Sequence, residues 1–132
     1  MSMNKNIEFV YAYRDASNYR SVGCVVFRPS ENLSLQEGRA RLQGALGTDG
    51  TFIADQVRVP EVFLYSESPA DPDDHCLHEF VSIAETPETE NDRCGRSLAE
   101  FVTEVERASR EGWLGFDPHD RHRPRKRFRF SF

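Results

Sequence analysis

Two stretches of this 132-residue chain bring together side chains that can do chemistry. The first is residues 71–79, DPDDHCLHE, where His75 and His78 stand beside Asp73, Asp74, Cys76 and Glu79. Such groups offer nitrogen, oxygen and sulfur donors to zinc or another transition ion. In an extended segment, however, His75 and His78 point to opposite faces, and neither HExxH nor a paired CxxC accompanies them. Ordinary polar chemistry is the stronger reading, and neither a metal nor another cofactor is expected. If the chain is an enzyme, His78 and Glu79 make the best acid–base pair, because an imidazole titrates near neutrality. Asp55, which with Gln56 interrupts the apolar segment IADQVRVPE, and Arg14, in YRDASNY, would complete a small hydrolase or lyase site. That site requires all four residues to meet in one concave pocket.

Each of these residues also has a structural reading. Asp15 and Asn18 can satisfy the amides of a turn while Arg14 pairs with Asp15. The alternative is that Arg14, Asp15 and Asn18 bind an anion or a partner at a hairpin tip. Asp55 and Gln56, if buried, need hydrogen-bond partners in the backbone or at that tip.

The second stretch is the basic, aromatic segment 121–132, RHRPRKRFRFSF. It holds six of the 17 Lys and Arg residues, while all 22 Asp and Glu precede it, so residues 1–120 carry 11 − 22 = −11. As an arm, this segment would neutralise phosphates and stack Phe128 and Phe130 on bases, weakly and with a steep salt dependence. The period of two favours a different use. Phe128, Phe130 and Phe132 share one face and Arg127 and Arg129 the other, as in a strand. Residues 59–92 contain ten Asp and Glu and no Lys or Arg. A strand from Lys126 to Phe132, with Arg125 just before it, would set arginines such as Arg127 and Arg129 on acidic residues and its phenylalanines on a sheet edge. That edge can be its own, a neighbouring subunit's, or another protein's. A solvated, disordered end is the plain alternative.

Composition bounds the rest. The chain is long enough for one domain with a real core; residues 1–120 are expected to form it, with 121–132 as a tail. No apolar run approaches the length needed to cross a bilayer and none resembles a secretory leader, so cytoplasmic residence is expected. Three widely spaced cysteines do not make a disulfide framework; Cys24 and Cys94 read as buried packing. No GxxxxGK[ST], GxGxxG or GxSxG motif occurs, which argues against nucleotide hydrolysis and dinucleotide chemistry.

The elements that must position these residues follow from periodicity and punctuation. Residues 7–14 and 19–27, rich in β-branched and aromatic side chains, predict an antiparallel hairpin with Ile7, Phe9, Tyr11 and Tyr13 on one face. Ser34 and Glu37 predict a capping box that opens a helix with Leu35, Leu42, Ala45 and Leu46 on its apolar stripe. Pro60 divides residues 51–65 into two short elements. Residues 66–74 read as an acidic, exposed loop. Residues 78–86 predict a strand with Glu79, Val81 and Ile83 on one face. Thr89 and Asp92 predict a second capping box, for a helix ending near Gly112, after which Trp113, Leu114 and Phe116 close the core. The order favours an α+β fold, two helices packed on a largely antiparallel sheet of four to five strands.

YRDASNY, ADQVRVPEVF and HEFVSI resemble segments of small uncharacterised bacterial proteins without an assigned activity, over much of residues 9–83. The resemblance carries no catalytic residue across. The function expected first is a non-enzymatic binding or accessory protein acting by self-association or by contact with another protein. The small hydrolase or lyase and a weak nucleic-acid binder are the alternatives, and no membrane partner is expected.

Overall fold

Alternation puts four large residues on one side of the first strand, and they must be covered. The computed structural model describes residues 5–15, 17–64, 74–119 and 125–129. Strand β1 (Asn6–Arg14) turns into β2 (Arg20–Phe27). In the turn, Asp15 accepts the Tyr19 amide through Oδ1 at 2.9 Å, and Asn18 takes the left-handed conformation that its short polar side chain tolerates. Arg14 does not pair with Asp15; it crosses to Glu79 at 2.7 Å.

Helix α1 (Leu35–Ala45) opens at the Ser34–Glu37 capping box. Strand β3 (Thr51–Phe52), β4 (His78–Thr86), helix α2 (Leu98–Glu111), β5 (Leu114–Phe116) and β6 (Arg127–Arg129) complete the order. The main sheet runs β2-β1-β4-β3 with every pair antiparallel, and β5 and β6 form a separate antiparallel ribbon. The protein is therefore α+β, with two helices packed on a four-stranded sheet. Among the described residues no helix is long and apolar enough to cross a membrane.

Several local expectations are corrected. The expected division at Pro60 falls earlier: β3 passes into a 3-10 turn (Ala54–Val57) before Pro60, and left-handed Arg58 with Pro60 then bends the chain away from any ladder. In β4, Phe9 faces Ile83 and Val10 faces Ser82, yet Tyr11 faces Phe80, so Val81 is a bulged extra residue. The bulge breaks the simple alternation: His78 and Ile83 are buried while Val81 is 43% exposed. Helix α2 opens not at Thr89 but at a second capping box, Ser97 with Glu100. Asp92 has another task, described below. Cys94 consequently lies before the helix and is exposed, as is Cys24 on the outer face of the sheet; Cys76 alone of the three is buried. The acidic loop expected at residues 66–74 lies outside the described residues except for Asp74, which is half-buried and accepts the Tyr13 hydroxyl at 2.7 Å.

Phe9 is the hub of the core. Its ring lies 4.9 Å from Phe101 of α2, 5.4 Å from Tyr11 and 5.9 Å from Phe52, and Trp113 and Phe116 close the same cluster as expected. Against this apolar mass sits a charge. Arg96 is 4% exposed, its guanidinium above the rings of Phe27 and Phe101 at 5.4 and 5.2 Å. Every direction of the fork is used. Its Nε and Nη2 reach Asp92 at 2.9 Å, Nη1 reaches Glu104 at 2.6 Å and the Val57 carbonyl at 2.7 Å, and Nη2 also meets the Arg58 carbonyl at 3.1 Å. Burial alone would raise the Asp92 carboxyl; the Arg96 bonds outweigh it and hold it below its usual range. Removing one partner of a buried pair strands the other. Arg96→Met should therefore lower the unfolding free energy by about 3–5 kcal/mol, and Arg96→Lys, with no planar fork, should recover only a minor part. Urea denaturation with Trp113 fluorescence measures both, and a loss under ~1 kcal/mol in Arg96→Met would refute the assignment.

Candidate functional site

Of the four residues that sequence chemistry selects, Arg14, His78 and Glu79 line one cavity and Asp55 lies apart from them. His78 projects inward, 1% exposed, its ring 4.5 Å from Phe63 and 5.9 Å from both Tyr11 and Tyr13. Its Nε2 accepts the Val62 amide at 3.0 Å, so the neutral ring carries its proton on Nδ1, which has no partner among the described residues. Burial foremost, with His75 adding and Asp55 opposing, pushes its pKa down to about 3. The next residue on the strand, Glu79, points to the opposite face and pairs with Arg14. Those two, with His78, border a small cavity of about 230 Å³ that Asp49, Thr51 and His75 also line. His75 is already employed: Nδ1 accepts the Leu77 amide at 3.1 Å and Nε2 then donates to the Arg14 carbonyl at 2.7 Å. Asp55 lies elsewhere, beneath the C-terminal segment. Among the described residues no group of His, Cys, Asp and Glu is arranged to hold a metal ion.

Asp55 belongs to a clamp. Gln56 beside it donates to the Gly112 carbonyl at 3.0 Å and accepts the Leu114 amide at 2.8 Å, which fixes β5 against the 3-10 turn. On that base, residues 125–129 lay alternate arginines against β5 and the 3-10 turn. Arg125 grips Glu61 through both carboxylate oxygens and reaches Asp55 at 3.3 Å, Arg127 binds Asp55 and the Leu114 carbonyl, and Arg129 donates to the Glu111 carbonyl. The Arg125 and Arg127 guanidiniums stack over the Phe116 ring at 4.1 and 4.8 Å. The arginines thus meet acidic residues, but the expected docking of phenylalanines is reversed where it can be seen. Phe128 is 50% exposed, because the surface offered by β5 is an aromatic face flanked by carboxylates, which suits cations. Phe130 and Phe132 lie outside the described residues. The guanidiniums of Arg125, Arg127 and Arg129, which the nucleic-acid reading offers to phosphates, are engaged within the chain.

A third place was not selected from sequence. Tyr19 accepts the Asp15 amide through its carbonyl, and alternation along the hairpin makes Ser21, Gly23, Val25 and Phe27 the residues that bond β1. Arg20, Val22, Cys24 and Val26 then aim their amides and carbonyls outward from the sheet. Val26 is covered: its amide donates to Asn91 Oδ1 at 2.8 Å, and its carbonyl receives the Asn91 and Asp92 amides at 3.0 and 3.3 Å. Arg20, Val22 and Cys24 show no backbone bond on that side among the described residues. Val22 and Tyr19 are the most exposed large hydrophobics here, at 59% and 70%. The alternation of residues 20–26 was readable; that β2 rather than β1 is the edge was not, since it depends on pairing between β1 and β4, some seventy positions apart.

Two measurements follow from this geometry. The unfolded chain takes up the His78 proton near 6.5 and the folded chain only near 3. Between those values the unfolded state holds more protons, so stability is full above 6.5 and falls as pH drops through the window. His78→Phe should remove a slope approaching ~1.4 kcal/mol per pH unit below 6.5, read as the wild-type-minus-variant difference in urea midpoints between pH 4.5 and 7; parallel curves would refute it. Arg125→Gln should lower stability by roughly 1–2 kcal/mol at low ionic strength and by less in 1 M salt, since its partners are only part-buried; no change at low salt would count against the clamp. Compared with protein-family models, curated proteins and solved structures, the chain matches none.

Proposed function

We propose that this protein is a non-enzymatic binding or accessory protein that works by accepting a protein strand at the open edge of β2. The observation that carries this reading is the row of outward backbone groups at Arg20, Val22 and Cys24 that have no backbone partner among the described residues. Proteins usually cover, charge or interrupt such an edge. Here Val26 is covered by Asn91 and Asp92, while Arg20, Val22 and Cys24 are left open around the exposed Val22 side chain. An extended strand added there gains main-chain hydrogen bonds, and alternate side chains supply specificity. The hydrolase or lyase reading loses ground because His78 is almost wholly buried, Arg14 and Glu79 are paired with each other, and Asp55 is bound by Arg125 and Arg127 away from their cavity.

Val22→Pro tests this without touching the fold's own ladder, because the amide it removes faces away from β1. The probe is a fluorescent peptide of residues 17–27 with Cys24→Ser, followed by anisotropy. Wild type should bind it, and Val22→Pro should bind at least about tenfold more weakly, equivalent to ~1.4 kcal/mol, with unchanged circular dichroism. Equal binding by both proteins, or none by wild type at concentrations where it is monomeric, would sink the reading.

A further inference from the structure

We propose that the natural occupant of this edge is a second copy of the chain, paired antiparallel to β2 about a two-fold axis through Val22. The inference rests on the strand-accepting reading of β2 and names its partner. Three features of the edge lead to it.

The first is parity. In an antiparallel pair, residues that exchange hydrogen bonds must both face outward from their own sheets. On this edge Arg20, Val22 and Cys24 do. A copy centred on Val22 sets Val22 against its equivalent and Arg20 against Cys24 in both directions, forming about six main-chain bonds. Shifting the centre by one residue to Ser21 or Gly23 leaves only two of the three outward residues matched on each copy.

The second is extent. Beyond Cys24, Val26 is closed by Asn91 and Asp92. Beyond Arg20, the chain turns back through Asp15 and Asn18 toward its own β1. A copy centred on Val22 ends with Arg20 opposite Cys24, next to that closure, and brings the exposed ring of Tyr19 alongside Val25. The open segment and the strand that fills it thus have the same length.

The third is charge. Arg20 is exposed and forms no ion pair among the described residues. In the proposed register it lies across from Cys24 of the other copy, which has the Glu8 carboxylate as a neighbour on the same outer face. The long Arg20 side chain can reach over that small residue to Glu8 of the other copy, once on each side of the axis. Like charges never face one another across the junction, which is the arrangement that opposes wrong registers.

The test uses the full chain and reads mass and cross-linking. Sedimentation velocity over a concentration series should show twice the 15.2 kDa chain mass, lost in Val22→Pro and in Val22→Lys, where two lysines would meet on the axis. In a Cys24→Ser, Cys94→Ser background, Val22→Cys should oxidise to a covalent dimer, since a bonded antiparallel pair sets its Cα atoms about 5.5 Å apart, within disulfide range. Ser21→Cys, displaced by two positions across the junction and beyond ~7 Å, should not. Glu8→Arg and Arg20→Glu should each shift the protein toward monomer, and the double variant should restore the dimer. A monomer at every concentration that still binds the residue 17–27 peptide overturns the homodimer while leaving the strand-accepting edge intact; a monomer that does not bind it removes both. A doubled mass that survives Val22→Pro and Val22→Lys, or cross-linking at Ser21→Cys in place of Val22→Cys, overturns the proposed interface.

Discussion

A buried guanidinium organises this protein. Arg96 is the point at which the loop before α2, the 3-10 turn after β3 and the helix itself are tied together, through Asp92, the Val57 and Arg58 carbonyls and Glu104. A charge so placed is costly unless every donor is met, and here all are. Its influence extends to the sheet edge. Arg96 holds Asp92, and the Asp92 and Asn91 amides close the Val26 end of β2. The length of edge left open is thus set partly by an ion pair buried behind it.

The β4 strand shows a second constraint. Without its bulge, Val81 would share a face with Ile83 and His78 would lie on the other. With it, His78 and Ile83 both enter the core while Val81 turns outward. A histidine enters a cage of tyrosine and phenylalanine rings, where it serves as the acceptor for the Val62 amide. Its environment favours the neutral ring, which suits a structural acceptor and leaves little basicity for proton transfer near neutral pH.

Local signals in the sequence were legible where the physics is local. The hairpin, its polar turn and the Ser34 cap follow from alternation, short polar side chains and reciprocal amide bonding within a few residues. Before the second helix the Thr89–Asp92 pattern yields to Ser97 and Glu100, because Asp92 is taken by Arg96, and only tertiary packing decides that. The bulge at Val81 leaves no residue signature, because it is a register between strands distant in sequence. The separation of Asp55 from His78 and Glu79 is likewise a matter of topology: one residue lies under β6, one inside the sheet and one outside it. The charge complementarity of the tail was legible, while its facing was not, since a guanidinium rather than a phenyl ring lies on Phe116.

The clamp on Phe116 has a further consequence. Arg125, Arg127, Asp55 and Glu61 belong to one covalent chain, so their association is governed by an effective concentration rather than by how much protein is present. For short tethers that quantity is on the order of millimolar. A free polyanion or acidic peptide must therefore outcompete a neighbour that dilution never removes. The C-terminal segment is a ligand the protein carries with it, and its arginines become available to others only to the extent that the cell supplies a stronger rival.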